Sequence, residues 1–198
     1  MTRRDLLALT PALIVSGCAS APEVKVEKKP AEPVTGLHAL YQMYSHARGW
    51  APDIKILQYG SIEITQVKPQ PGKVGAWQVT FASEALSQKR AYTFSVYDVS
   101  PTLRQGMFPD SAGSWRDDNR SFPIGAVKID TDVAWATALK HAAEYSAKNP
   151  AMPISYTLEL SRRVNSPMWR VIWGHDAASS KFSVLVDAST GSYVETLY

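Results

Sequence analysis

Apolar and polar positions follow the same order twice along the chain: a stretch with a period near 3.6, then runs with a period of two. In the first round Leu37, Leu40, Tyr41 and Tyr44 fall at helical spacing, with Thr35 available as N-cap and Gly49 and Pro52 closing the segment. Residues 54–67 then set Ile54, Ile56, Ile62 and Ile64 in alternation with polar residues around Gly60. Two more runs, AWQVTFAS (76–83) and AYTFSVYDV (91–99), are joined by the polar segment EALSQKR. This predicts one helix followed by three antiparallel strands.

The second round opens at Asp130-Thr131-Asp132, a cluster of N-capping residues whose charge suits a helix start. Trp135, Ala138, Leu139, Ala142 and Tyr145 line one helical face, and Asn149-Pro150 ends it. ISYTLELSRRV (154–164) alternates as a strand, MWRVIWGHD (168–176) and KFSVLVDA (181–188) form a hairpin, and Tyr193-Val194 supplies a short last strand. The expected fold class is α+β: two small modules, each one helix packed on a three-stranded antiparallel sheet. Their expected spans are 36–100 and 130–198. The connecting loop, 101–129, is rich in Gly, Pro, Asp and Ser, and its Phe108, Trp115 and Phe122 predict that parts of it fold back onto the modules.

WQVTF at 77–81 and WRVIW at 169–173 share one spacing, which favours a module used twice over coincidence. Trp77, Trp169 and Trp173 fall on alternating strand positions, so one sheet face carries all three. Core filling is the expectation for that face, because a single covering helix buries one side of a sheet. A ligand-gripping surface is the alternative, and an exposed edge strand could take up a peptide by β-augmentation.

Composition adds that a chain of 198 residues with 45% hydrophobic and 20% charged residues is globular in character. Its net charge of +3 arises from interleaved signs, which excludes an extended nucleic-acid surface. The N-terminus is more informative. Arg3 and Arg4 precede an apolar run from Leu6 to Val15, too short to span a bilayer, and small residues follow. Val15-Ser16-Gly17-Cys18 resembles the lipobox of bacterial lipoproteins, and Cys18 is the sole cysteine. The resemblance implies a signal peptide over 1–17, with Cys18 lipidated and serving as the mature N-terminus. Two or three acyl chains, at roughly 0.8 kcal/mol per buried methylene, hold a protein durably to a membrane. Thr2-Arg3-Arg4-Asp5-Leu6-Leu7 also resembles a twin-arginine signal, though two arginines equally serve the general secretory route. Ala19 after the cysteine points to the outer rather than the inner membrane of a Gram-negative envelope. Residues 18–35, rich in Pro, Lys and Glu, read as a tether.

The second round also resembles the PepSY domain. The residues that carry this are Trp169 and Val171, then Phe182, Val184 and Val186, then Asp187, Thr190 and Gly191, behind an acid-capped, Ala-rich helix. The first round echoes the pattern only in WQVTF and FSVYD, with Asp98 lacking the glycine turn, and resembles a degenerate copy. The resemblance implies an envelope protein that regulates or inhibits an exported peptidase, and it carries no catalytic residues.

Chemistry-bearing motifs are scarce. His38, His46, His141 and His175 are scattered, without metal-ligand spacing. No nucleophile elbow, Ser-x-x-Lys pair or phosphate-binding glycine loop is present. Asp117-Asp118-Asn119 is too short for a calcium loop, and Asp130 and Asp132 are explained as caps. No enzyme activity, metal or cofactor is expected. The expected partners are the membrane, through Cys18, and an exported protein or peptide; nucleic acid is not among them. A structural accessory of the envelope, or a small-ligand binder using 101–129 as a lid, are the alternatives.

Overall fold

The structure, a computed structural model, describes residues 31–99, 101, 103–117 and 119–198. The signal peptide, Cys18 and the tether up to residue 30 lie outside the described residues. In chain order the elements are β1 (Val34–Thr35), α1 (Gly36–Ala47), β2 (Lys55–Ile62), β3 (Lys73–Val74), β4 (Ala76–Ser83), β5 (Gln88–Ser95), β6 (Gly106–Pro109), β7 (Gly113–Ser114), a 3-10 turn (Ile124–Ala126), α2 (Thr131–Lys148), β8 (Ile154–Ser161), β9 (Ser166–Trp173), β10 (Ser183–Asp187) and β11 (Tyr193–Leu197). Residues 31–35, the end of the expected tether, join the fold. Val34 and Thr35 pair with Val74 and Lys73, and Ala31 packs on Ile64, Val67, Ala76 and Leu103.

The α+β class and both helices stand as the pattern predicts, but the two separate three-stranded sheets do not. One antiparallel sheet of nine described strands runs in the order β11-β10-β9-β8-β2-β4-β5-β6, with β7 also on β5. Its middle is the pairing of β2 with β8, the first long strand of each round. Left apart, each would be an edge strand with unpaired peptide groups, and joining them removes two such edges. The expected strand over 54–67 stops at Ile62, and residues 63–72 leave the sheet as a loop.

Both helices cover the same face, α1 over β4 and β5 and α2 over β9 and β10. Tyr59, Trp77, Phe81, Tyr156, Trp169, Val171 and Trp173 lie beneath them in one continuous core. The three tryptophans are fully buried, which makes them core residues and excludes a gripping surface. Trp173 stacks on Trp135 of α2 at 5.5 Å between centroids, and Tyr145 stacks on Phe182 at 4.2 Å.

The rounds correspond at the first residue of each WxV run. Trp77 Nε1 donates to the carbonyl of Val34 at 3.2 Å, and Trp169 Nε1 to that of Ile129 at 2.8 Å, each just ahead of a helix N-cap. The leading tryptophan of each WxV run therefore pins the start of its own helix. The two helix starts also meet. Asp130 Oδ1 accepts from the amides of Thr131 at 2.7 Å and of Leu37 at 2.9 Å, so one carboxylate caps both helices. Thr131 Oγ1 accepts from the Gly36 amide at 2.8 Å and donates to the Gly72 carbonyl at 2.5 Å. Thr35, the expected cap of α1, makes no side-chain cap bond because Asp130 has taken that role. This close approach explains two glycines. A Cβ on Gly36 would lie 2.7 Å from Thr131 Cγ2. One on Gly72, at φ +72°, would lie 2.3 Å from the Asp132 Cα.

The Asp187-Ala-Ser-Thr-Gly191 segment closes the β10–β11 hairpin. Asp187 accepts from the amides of Ser189 and Thr190 and from the Ser166 hydroxyl, and the Gly191 amide donates to the Asp187 carbonyl at 2.8 Å. Burial pushes the Asp187 carboxyl up, but these hydrogen bonds outweigh it and hold its pKa below the ordinary value. In the first half the position matching Asp187 in register is Ser95, opposite Ala76 as Asp187 is opposite Met168. The Ser95 hydroxyl bonds the Tyr97 backbone instead, so Asp98 is not the counterpart.

Candidate functional site

The seam between β2 and β8 is sparsely paired for two strands of eight residues. Only Tyr59 with Leu158 and Gly60 with Thr157 pair across it. One residue further on, the Ser61 side chain stands between the strands. Its hydroxyl accepts from the Tyr156 amide at 2.9 Å and donates to the Tyr156 carbonyl at 3.4 Å, in place of a backbone ladder. Past Ser61 the strands part.

A cleft of about 480 Å³ opens where they separate. One wall is Ile62 at the end of β2 with Ile64, Val67 and Pro69 of the loop that follows; the other is Pro153, Ile154 and Ser155 with Gly174; Val74 and Gly75 complete it. A second cavity of about 310 Å³ adjoins it through Pro69, Val74, Pro153 and Ile154 and reaches Trp135, Met152 and Tyr156. The lining is predominantly aliphatic, with polar groups at Ser61, Thr65, Gln66 and Ser155. Concave, mostly apolar sites with a few polar groups are the usual form of binding pockets.

At the rim the halves are clasped by Glu63 Oε2 and His175 Nδ1, 2.5 Å apart and both exposed. The hydrogen bond that His175 donates to Glu63, together with the charge of that carboxylate, raises the His175 pKa above its ordinary value. The first wall also carries Lys68.

At the opposite end of the seam the corresponding edge is filled by the chain itself. The amide of Ile56 donates to the Phe122 carbonyl at 2.8 Å, and the Phe122 amide returns a bond to Ile56 at 3.0 Å. Because β4 occupies the other edge of β2, Phe122 pairs on the edge that faces β8. Its side chain is 3% exposed, anchored in the main core. Of the three aromatics expected to fold back from 101–129, Phe122 does so fully, Trp115 is half-buried, and Phe108 stands exposed on β6.

The remaining sequence candidates lie elsewhere. His38 and His46 of α1 sit edge-on to Phe94 and Tyr92 of β5, and His141 stacks on Tyr193. Asp117 accepts from the Asn119 amide in a local turn, and Asp118 is outside the described residues. Among the described residues no three His, Cys, Asp or Glu side chains are grouped to hold a metal ion, and no helix is long and apolar enough to cross a membrane. The Ser61 hydroxyl is committed to the Tyr156 backbone rather than to a base. What the cleft offers is apolar surface and strand edges.

The chain matches no family model, no curated protein and no solved structure. The cleft was not legible in the sequence. Its one local signal is the break in alternation after Ile64, where the Pro-rich segment KPQPG at 68–72 begins.

Proposed function

We propose that this chain is a lipoprotein of the bacterial envelope, held to the membrane through lipid on Cys18, that binds an exported protein or peptide and carries no enzymatic activity. The observation that carries this reading is the seam cleft. It is roomy, mostly apolar and flanked by parted strands, and Ser61, Glu63 and Ser155 of its lining are engaged in structural bonds. In this reading the two rounds are a tandem PepSY-like pair, the first copy eroded, and an exported peptidase is the favoured partner. The matched roles of Trp77 and Trp169 support the tandem reading, and the turn made by Asp187 and Gly191 supports the PepSY-like reading of the second round.

The test is a purification of the detergent-solubilised full chain from envelopes, followed by assays of the co-purifying peptidase with and without it. The expected result is an exported partner whose activity changes at least several-fold when the lipoprotein is added. Absence of such a partner and of any change in activity would overturn the reading. The anchor is tested separately. Cys18→Ser should remain unprocessed and unlipidated; a variant still matured and membrane-bound would remove Cys18 from the account.

A further inference from the structure

The two ends of the seam are equivalent places in the two halves. Ile56 stands opposite Phe81 in the first half, and Ile154 stands opposite Trp173 in the second. Phe81 and Trp173 close the matching WQVTF and WRVIW runs, so Ile154 is the counterpart of Ile56. Ile56 has its free edge paired by Phe122. Ile154 faces the cleft.

The direction of its peptide groups follows from the strand's alternation. Tyr156 turns its amide and carbonyl towards Ser61 across the seam, whereas the Pro153 carbonyl accepts from Gly174 on the β9 side. Ile154 therefore directs its own amide and carbonyl into the cleft, as Tyr156 does. Among the described residues no strand pairs with that edge.

We propose that the cleft receives an extended segment of another polypeptide, which adds to the Ile154 edge as Phe122 adds to Ile56. The segment carries a bulky apolar residue at the pairing position, received among Ile62, Val74 and Ile154. Charge narrows the choice further. Glu63 is held by His175, and Lys68 is the cation on the described lining, so an acidic residue beside the apolar anchor is favoured. Binding comes from main-chain bonds and selectivity from the pocketed side chain, the division of labour of strand addition. The inference deepens the function proposed above by naming the recognised feature.

The test uses the full-length chain in detergent micelles and a panel of synthetic octapeptides. The panel includes the chain's own residues 120–127, peptides with Phe flanked by Asp or by Lys, and copies N-methylated at the anchor residue. The expected outcome is binding by Asp-flanked Phe peptides, with amide exchange slowed at least about tenfold in segments 61–65 and 154–156. N-methylation at the anchor should abolish binding. Thr65→Trp, a change at an exposed position on the wall, should weaken it about tenfold or more, and Lys68→Glu should reverse the Asp-over-Lys preference. The proposal is overturned if no member binds, if the N-methylated copies bind equally, or if protection falls on the outer strands β6 or β11. Peptide binding here without any exported partner would sink the wider function and leave this inference standing. A partner indifferent to Thr65→Trp would do the reverse.

Discussion

At the scale of single residues, the three buried tryptophans are not equal. Trp77 and Trp169 each satisfy the indole N–H on a carbonyl ahead of a helix, whereas the Trp173 indole N–H is buried without a partner among the described residues. An unsatisfied buried donor costs about 1–3 kcal/mol, and removing it recovers part of the packing lost with the larger ring. Trp173→Phe should therefore destabilise clearly less than Trp169→Phe in urea unfolding; equal losses would contradict the assignment. Phe81 fills the corresponding place in the first half. The rim pair gives a second test. Glu63 raises the His175 pKa, so the pair is fully formed below the ordinary histidine value near 6.5 and fades as pH rises through the raised value. An NMR titration of His175 should show its midpoint fall in Glu63→Gln. An unmoved midpoint would mean that the contact does not persist in solution.

Among the elements, the joint capping of α1 and α2 is the most exacting arrangement. A cap is typically worth about 1 kcal/mol, so Asp130→Ala should cost about 2 kcal/mol, while Asp130→Asn, which keeps the acceptor, should cost far less. Chemical denaturation of both variants measures this, and a loss confined to one ordinary cap would show that Leu37 does not depend on Asp130. The sequence shows Asp130 as the cap of α2, because an acidic residue directly precedes an amphipathic run. Its service to α1 was not legible, since nothing near Thr35 marks a capping residue more than ninety positions away. Phe122 is a parallel case. Its place in a Gly- and Pro-rich stretch reads as loop, yet it supplies a strand bridge to Ile56. Phe122→Ala should cost about 3–5 kcal/mol.

For the whole molecule, the continuous sheet and shared core predict that the two rounds unfold together. Tyr59 lies against both Trp77 and Trp169, so the central aromatic cluster belongs to neither half alone. Urea transitions followed by far-ultraviolet circular dichroism and by tryptophan fluorescence should coincide. Leu158→Ala should destabilise the first half's slowly exchanging amides as much as the second's. Two separable transitions would restore the independent modules that the repeat alone implies.

The sequence by itself determined the two helices, the long strands and their order, because these depend on local periodicity, capping and turn chemistry, whereas the short strands β1, β3, β6 and β7 carry no such periodicity and were not legible. It also marked the buried face, since alternation places Trp77, Trp169 and Trp173 on one side of their strands. What only the tertiary structure decided is how the two rounds meet: β2 beside β8, one carboxylate for two helix starts, and a seam filled at one end and open at the other. Those outcomes depend on which unpaired strand edges find each other and where a side chain such as Ser61 interrupts the ladder. Such long-range pairings leave no mark in the spacing of neighbouring residues.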